Sequence, residues 1–261
     1  MKHSLLILAA AAAFCVPSFA QQNIRVRNLS TSTNVLNVEQ LRSTEQPVQI
    51  NRFLFAGYNT LCLPMTLSAD QLQAAAKDVR VERLAAIGQE GSTLNLYFVD
   101  CTAEGIQAGV PYLIFSPTMQ NLRARTIDAD GIGTQLVPVT MSDQLGNRVT
   151  FSSSWQSTQG DGRYGIPAKQ DVEVLESVLL RTDGEKTFLP TRCGVTWEAQ
   201  SLTATDIVIQ HAPSLAALPT GIREQLTESR QSSNTYDLSG RKVTNAKRGI
   251  VIVDGEKVAV K

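Results

Sequence analysis

Apolar positions in this chain gather in short runs rich in β-branched and aromatic residues, with polar residues set between them. Val48–Phe55, Leu94–Val99, Val110–Phe115, Val172–Leu180 and Asp206–Gln210 read as strands, and Arg148–Phe151, Thr187–Leu189 and Val195–Glu198 as weaker ones. Gly, Pro, Asn and Asp punctuate them at the intervals of antiparallel sheets. One stretch has a helical pattern. Ser68 can cap it, Gln71 completes a capping box, and Ala69–Lys77 supplies good helix formers. The pattern predicts a mainly β chain, an antiparallel β-sandwich-like body with one or two short helices.

The pattern changes at Ala212. From 212 to 234, Pro213 and Pro219 interrupt a stretch of Ser, Thr, Gln and Glu, with Ile222–Arg230 able to form a short amphipathic helix. This predicts a linker or an ordinary loop of the same domain. Residues 235–261 form a further unit. Tyr236-Asp237-Leu238 is a short strand, and Ile250–Val253 and Lys257–Val260 are alternating runs around Asp254-Gly255, where both positions tolerate a positive φ. Two or three short strands are marginal alone, so the predicted hairpin needs a partner surface.

At the other end, Lys2 and His3 precede a 12-residue apolar run, Leu5–Val16, followed by Ser18 and Ala20 at the −3 and −1 positions. The run is too short to span a bilayer, and the pattern is that of a cleaved secretory signal over residues 1–20. Cys15 raises a lipoprotein alternative, against which stands the bulky Phe14 before it. The reading therefore divides the chain into signal 1–20, β-rich domain 21–211, linker 212–234 and tail 235–261.

Charge narrows the partners. The 261 residues carry 24 basic and 24 acidic side chains, and loss of Lys2 with the signal leaves 23 basic against 24 acidic. A balanced surface gives no electrostatic case for nucleic acid. Of four Cys, Cys62, Cys101 and Cys193 remain after the signal. In an exported protein a Cys62–Cys101 disulfide is one expectation, and buried thiols acting as small hydrophobes are the other. No CxxC, HExxH, GxSxG or Walker motif is present, so neither a metal nor a cofactor is expected.

His211 is the one histidine outside the signal, which removes most imidazole-dependent hydrolase designs. Its place at the end of an apolar run suits a structural role. Asp128-Ala129-Asp130-Gly131 opens like a calcium loop but lacks the closing Glu. Asp100 and Glu104 could form the carboxylate pair of a surface hydrolase. Trp155, in a Ser-rich loop, is expected to be an exposed ring. With Arg163 and Tyr164 of the neighbouring turn it makes a candidate binding loop, while Trp197 is expected in the core.

Two stretches resemble known families. Tyr236-Asp237-Leu238-Ser239-Gly240-Arg241-Lys242-Val243, the strand Gly249-Ile250-Val251-Ile252-Val253 and the terminal Lys257-Val258-Ala259-Val260-Lys261 resemble the C-terminal sorting domain of type IX secretion cargo in Bacteroidota. Val251 departs from the aromatic residue common there. Phe55–Pro64 with Ala108–Ile114 resembles a β-rich domain of many secreted proteins of the same bacteria.

The first resemblance implies passage through the periplasm to an outer-membrane translocon. It also implies removal of the tail by a sortase-like protease, and attachment to an anionic lipopolysaccharide or release. Tyr236, Asp237, Gly240, Arg241, Gly249, Ile250, Val253, Lys257, Val258, Val260 and Lys261 would carry the signal, and residues 249–261 suit recognition by strand pairing. The alternative is that the tail merely completes the main sheet. The expected role is a non-enzymatic binding or adhesion module displayed at the cell surface. A cargo that reports export status to a signalling sensor is the second reading, and a surface hydrolase the third.

Overall fold

In Val48–Leu54 every second side chain is buried, as expected of a strand with one face on a core. The computed structural model describes residues 24–26, 35–43, 48–126, 131–167, 178–199, 204–231, 235–236, 249–253 and 256–260. In chain order the elements are β1 (Ile24–Val26), α1 (Val38–Arg42), β2 (Val48–Leu54), β3 (Gly57–Leu61), α2 (Ala69–Ala75), β4 (Arg80–Glu90), β5 (Thr93–Asp100), β6 (Tyr112–Ser116) and β7 (Gln120–Arg125). There follow β8 (Val139–Ser142), β9 (Arg148–Ser153), β10 (Thr158–Gln159), β11 (Tyr164–Gly165), β12 (Leu180–Arg181), β13 (Thr187–Phe188), β14 (Cys193–Glu198) and β15 (Asp206–Ala212). The chain ends with α3 (Thr220–Gln231), β16 (Thr235–Tyr236), β17 (Gly249–Val253) and β18 (Glu256–Val260).

Two five-stranded sheets, β15-β5-β4-β6-β3 and β12-β11-β14-β9-β8, make the sandwich. Leu84, Leu94, Leu96, Phe98 and Leu113 of the first meet Val149, Phe151, Cys193 and Val195 of the second in one buried cluster. Phe98 and Phe151 cross edge to face at 5.5 Å, the arrangement that ring quadrupoles favour. A second core lies beneath the small sheet β1-β2-β7, where Val48, Ile50, Leu122 and Ala124 pack with Leu72 of α2 and with Leu61, Val81 and Ile114. The body is thus mainly β with short helices. Among the described residues no helix is long and apolar enough to cross a membrane.

Helix α2 carries the expected capping box, Ser68 and Gln71 each bonding the other's backbone N–H. It ends two residues before the predicted boundary because Gln120 of β7 takes both the N–H and the C=O of Lys77, at 2.9 Å each. A side chain from a distant strand there replaces the helical ladder. β4, eleven residues long, is the element the hydrophobic pattern hides. It holds Arg80, Glu82, Arg83 and two alanines, and its register shifts between Leu84 and Ala86, which breaks the alternation. β3 is buried at all five positions and so carries no alternation either.

The segment after Ala212 is more than a connector. Leu218 and Ile222 are buried against Ala85, Ala86 and Val99, so α3 packs its first turns on the outer face of the β15-β5-β4-β6-β3 sheet. Gly88 of β4 leaves room for this, since a Cβ there would stand 2.5 Å from Ile222 Cδ1. In the tail β17 and β18 pair antiparallel with Val253 opposite Glu256, and β16 adds to β17. The secretory signal, Asp128, Asp130, Asp237, Gly240, Arg241 and Lys261 lie outside the described residues, as does most of the predicted strand Val172–Leu180.

Candidate functional site: a polar lock and a cationic cavity

Two places concentrate polar chemistry. The first is on the sandwich sheet β15-β5-β4-β6-β3. Glu82 stands on its middle strand, with a side chain only 3% exposed. Tyr58 comes from one edge strand and His211 from the other. In a flat sheet those strands would be about 19 Å apart, yet the rings stack at 4.2 Å with 16° between their planes. The sheet is therefore curled, and Glu82 gathers its edges. His211 Nδ1 lies 2.5 Å from Glu82 Oε2, Arg80 Nε donates to Oε1 at 3.1 Å, and the Tyr58 hydroxyl donates to Oε1 at 3.3 Å. Arg80 also donates to the Tyr58 hydroxyl at 2.6 Å and lies over the Phe115 ring. Burial, with the Glu82 charge, pushes the Tyr58 hydroxyl up to about 12. These groups satisfy one another, and the arrangement is that of a structural lock. His211 thus has the structural setting that its strand-end position suggested.

Asp100 and Glu104 are drawn into the same charge pattern. Asp100 accepts from Thr102 N at 2.8 Å and lies 4.0 Å from Arg80, while Glu104 pairs with Arg83 at 3.4 Å.

Of the two expectations for the cysteines, the structure shows buried thiols and not the bridge. Cys62, Cys101 and Cys193 are all free and buried. Cys62 belongs to the core between the sandwich sheets and Cys101 to the core beneath the small sheet, so a Cys62–Cys101 bridge does not form. Cys62 and Cys193 share the core between the sandwich sheets instead. Burial pushes the Cys62 and Cys101 thiols up to about 12 and Cys193 well above its ordinary range.

The expectation for Trp155 also changes. Its ring is half-buried and packs against both cores, and Nε1 donates to Thr134 O at 2.8 Å. The Ser-rich flanks signalled a loop, but the ring is the wedge between two hydrophobic clusters. Trp197 is partly buried against the sandwich core, with Tyr164 6.3 Å away. Arg163 is tied to Ser152 Oγ and Thr158 Oγ1, both at 3.1 Å, and its guanidinium lies 4.9 Å from the centre of the Phe188 ring.

That ring leads to the second place, a cavity of about 390 Å³ between β11, β12 and β13, in the lower range of small-ligand sites. Ile166, Pro167, Leu180 and Phe188 form its apolar wall, and Arg181, Lys186 and Arg192 its charged part, with Asp183 the one acidic residue among the described ones. Glycine shapes the floor. A Cβ at Gly165 or Gly194 would come within 2.8 or 2.9 Å of the Phe188 ring, so only glycine lets the ring lie flat across β11 and β14. The Gly160–Arg163 turn clasps Thr182 beside it: Thr182 N donates to Arg163 O at 2.7 Å and Gly162 N to Thr182 O at 3.1 Å.

Of the residues that line this cavity, Arg192 carries a buried polar atom without a partner. Among the described residues, the buried side-chain nitrogens and oxygens without a hydrogen-bond partner are Arg52 Nε, Arg163 Nε, Thr191 Oγ1 and Arg192 Nε. Arg52 occupies an inward position of β2, 4% exposed, where the alternation calls for an apolar residue. Burial, then the like charge of Arg192, pushes its guanidinium down to about 9. Burial lowers Arg163 and Arg192 as well. Thr191, between these groups in sequence and fully buried, holds φ at 68°, a strained conformation for a β-branched residue.

In comparisons with known proteins, no family model, no curated protein and no solved structure matches this chain. Trp155, Arg163 and Tyr164 of the candidate loop do not line this cavity; Arg163 reaches only its Phe188 ring. Arg52, Arg181, Lys186, Phe188 and Arg192 were missed. Only the inward Arg52 carried a signal, as a charge at an apolar position of an alternating run.

Proposed function

We propose that the protein is an exported type IX secretion cargo whose β-sandwich body is displayed at the cell surface as a non-enzymatic binding or adhesion module. The observation that supports this is the tail. It carries the sorting-domain pattern, and among the described residues its strands β16, β17 and β18 pair only with one another. A small sheet with unpaired edges suits recognition by strand addition at a translocon. The tail is then read and removed by a sortase-like protease, and the body is held on an anionic lipopolysaccharide or released. The cavity beside β11 gives the body a place to bind. A cargo that reports to a signalling sensor remains the second reading and predicts that the tail alone carries the signal.

The test is fractionation of cells expressing the full chain beside a chain lacking residues 240–261. The expected result is full-length protein at the surface and truncated protein in the periplasm. Equal distribution of both would overturn the sorting role.

A further inference from the structure

A buried guanidinium with no carboxylate beside it is costly, and chains keep such groups where a ligand supplies the missing charge. The ion pairs among the described residues are Arg80 with Glu82 and Asp100, Arg83 with Glu104, and His211 with Glu82. None involves Arg52, Arg163 or Arg192. Asp183, the acid at the cavity, is exposed and caps its own turn, accepting from Glu185 N at 3.2 Å. Among the described residues, positive charge therefore exceeds negative at this cavity by three side chains to one. The surplus is backed by Arg52 from within.

We propose that the cavity is a binding site for a small organic anion, a carboxylate or phosphate head on an apolar body. Arg192 takes the head, and Arg181 and Lys186 draw it in from the exposed side. Ile166, Leu180 and Phe188 cover the apolar part. Three features point the same way without depending on each other: the unpartnered Arg192 Nε, the strained Thr191 next to it, and the glycine floor that fixes Phe188. Leu180 is 51% exposed, an apolar side chain that a bound ligand would cover. The inference rests on the binding role proposed above but not on export. Binding is measured on the purified chain and sorting in cells, so either can fail alone.

The experiment is calorimetric titration and thermal melting of the purified chain with phenyl phosphate, benzoate, benzamide and inorganic phosphate. At least one of the two aromatic anions is expected to bind at a single site and raise Tm. The uncharged benzamide and inorganic phosphate should bind at least about tenfold more weakly, since a charge-assisted hydrogen bond or an apolar wall is then lost. Which aromatic anion binds more tightly separates phosphate from carboxylate chemistry. Arg192→Met should weaken binding by about tenfold or more, and should raise the Tm of the ligand-free chain, because a half-buried cation whose Nε has no partner gives way to a thioether. Arg181→Met, at an exposed position that folding does not need, should weaken binding by a smaller factor and leave Tm unchanged. Equal binding of benzamide and the anions would overturn the proposal. So would an Arg192→Met chain that binds as before or melts lower, or inorganic phosphate binding as tightly as phenyl phosphate.

Discussion

Glu82 offers a direct test of how the β15-β5-β4-β6-β3 sheet is held in its curl. Glu82→Gln keeps the shape of the side chain and removes the charge on which Arg80, His211 and Tyr58 converge. Breaking a fully buried ion pair typically costs about 3–5 kcal/mol. Here Glu82 is 3% exposed, but the side chains of Arg80 and His211 are 43% and 29% exposed and can regain water. The cost should therefore fall to about 2–3 kcal/mol. For a chain of this size that is a drop in Tm of about 4–12 °C. The control is Glu104→Gln, which breaks the Arg83–Glu104 pair, 42% and 61% exposed at 3.4 Å. An exposed pair contributes about 0–1 kcal/mol, so Tm should move by less than about 4 °C. Differential scanning calorimetry in low and in 0.5 M salt reads both. The Glu82 effect should persist in high salt, because screening reaches buried pairs poorly, while any Glu104 effect fades. If the two variants melt within about 2 °C of each other at both salts, burial does not decide the strength of these pairs and the lock reading fails.

Two further outcomes follow from buried groups and backbone. The thiols of Cys62 and Cys101, pushed up to about 12 from an ordinary value near 9, favour the protonated form in the folded chain. Their stabilisation is complete below about pH 9 and is lost as pH rises toward about 12. Urea midpoints should accordingly fall between pH 8.5 and 11, and a thiol reagent should label no cysteine at pH 8 until urea unfolds the chain; rapid labelling of the native protein would contradict the burial. Gly109→Ala should cost more than Gly91→Ala. Both hold a positive φ, worth about 1–2 kcal/mol to an alanine. Only at Gly109 would the new Cβ also strike backbone, 1.9 Å from Gln135 O, adding about 1–3 kcal/mol, whereas nothing lies within 4 Å at Gly91. Equal melting temperatures for the two variants would contradict the close approach.

Local chemistry determined much of the body from sequence alone. β2, β5, β6 and β15 fall within two residues of their apolar runs, because alternation on a half-buried strand and turn residues between strands are local properties. The capping box of α2 is legible for the same reason. The tail hairpin also follows its pattern, with β17 and β18 flanking Asp254-Gly255. What local pattern does not contain is which faces meet. β4 was invisible because its charged residues are paid for at a distance, Glu82 by Tyr58 and His211, 24 and 129 residues away. Trp155 looked exposed in a serine-rich loop, but only the docking of two cores gives its ring somewhere to go. Of the two cysteine expectations, the Cys62–Cys101 bridge does not form because the two thiols fall in different cores, a matter of sheet packing rather than spacing. The cavity was the least legible feature. Arg52 and Arg192 stand far apart in the chain, and it takes the folded sheets to bring the two guanidiniums near each other with no ion pair to either among the described residues. A positive charge in the interior has meaning only once its neighbours are known, and those the tertiary structure alone decided.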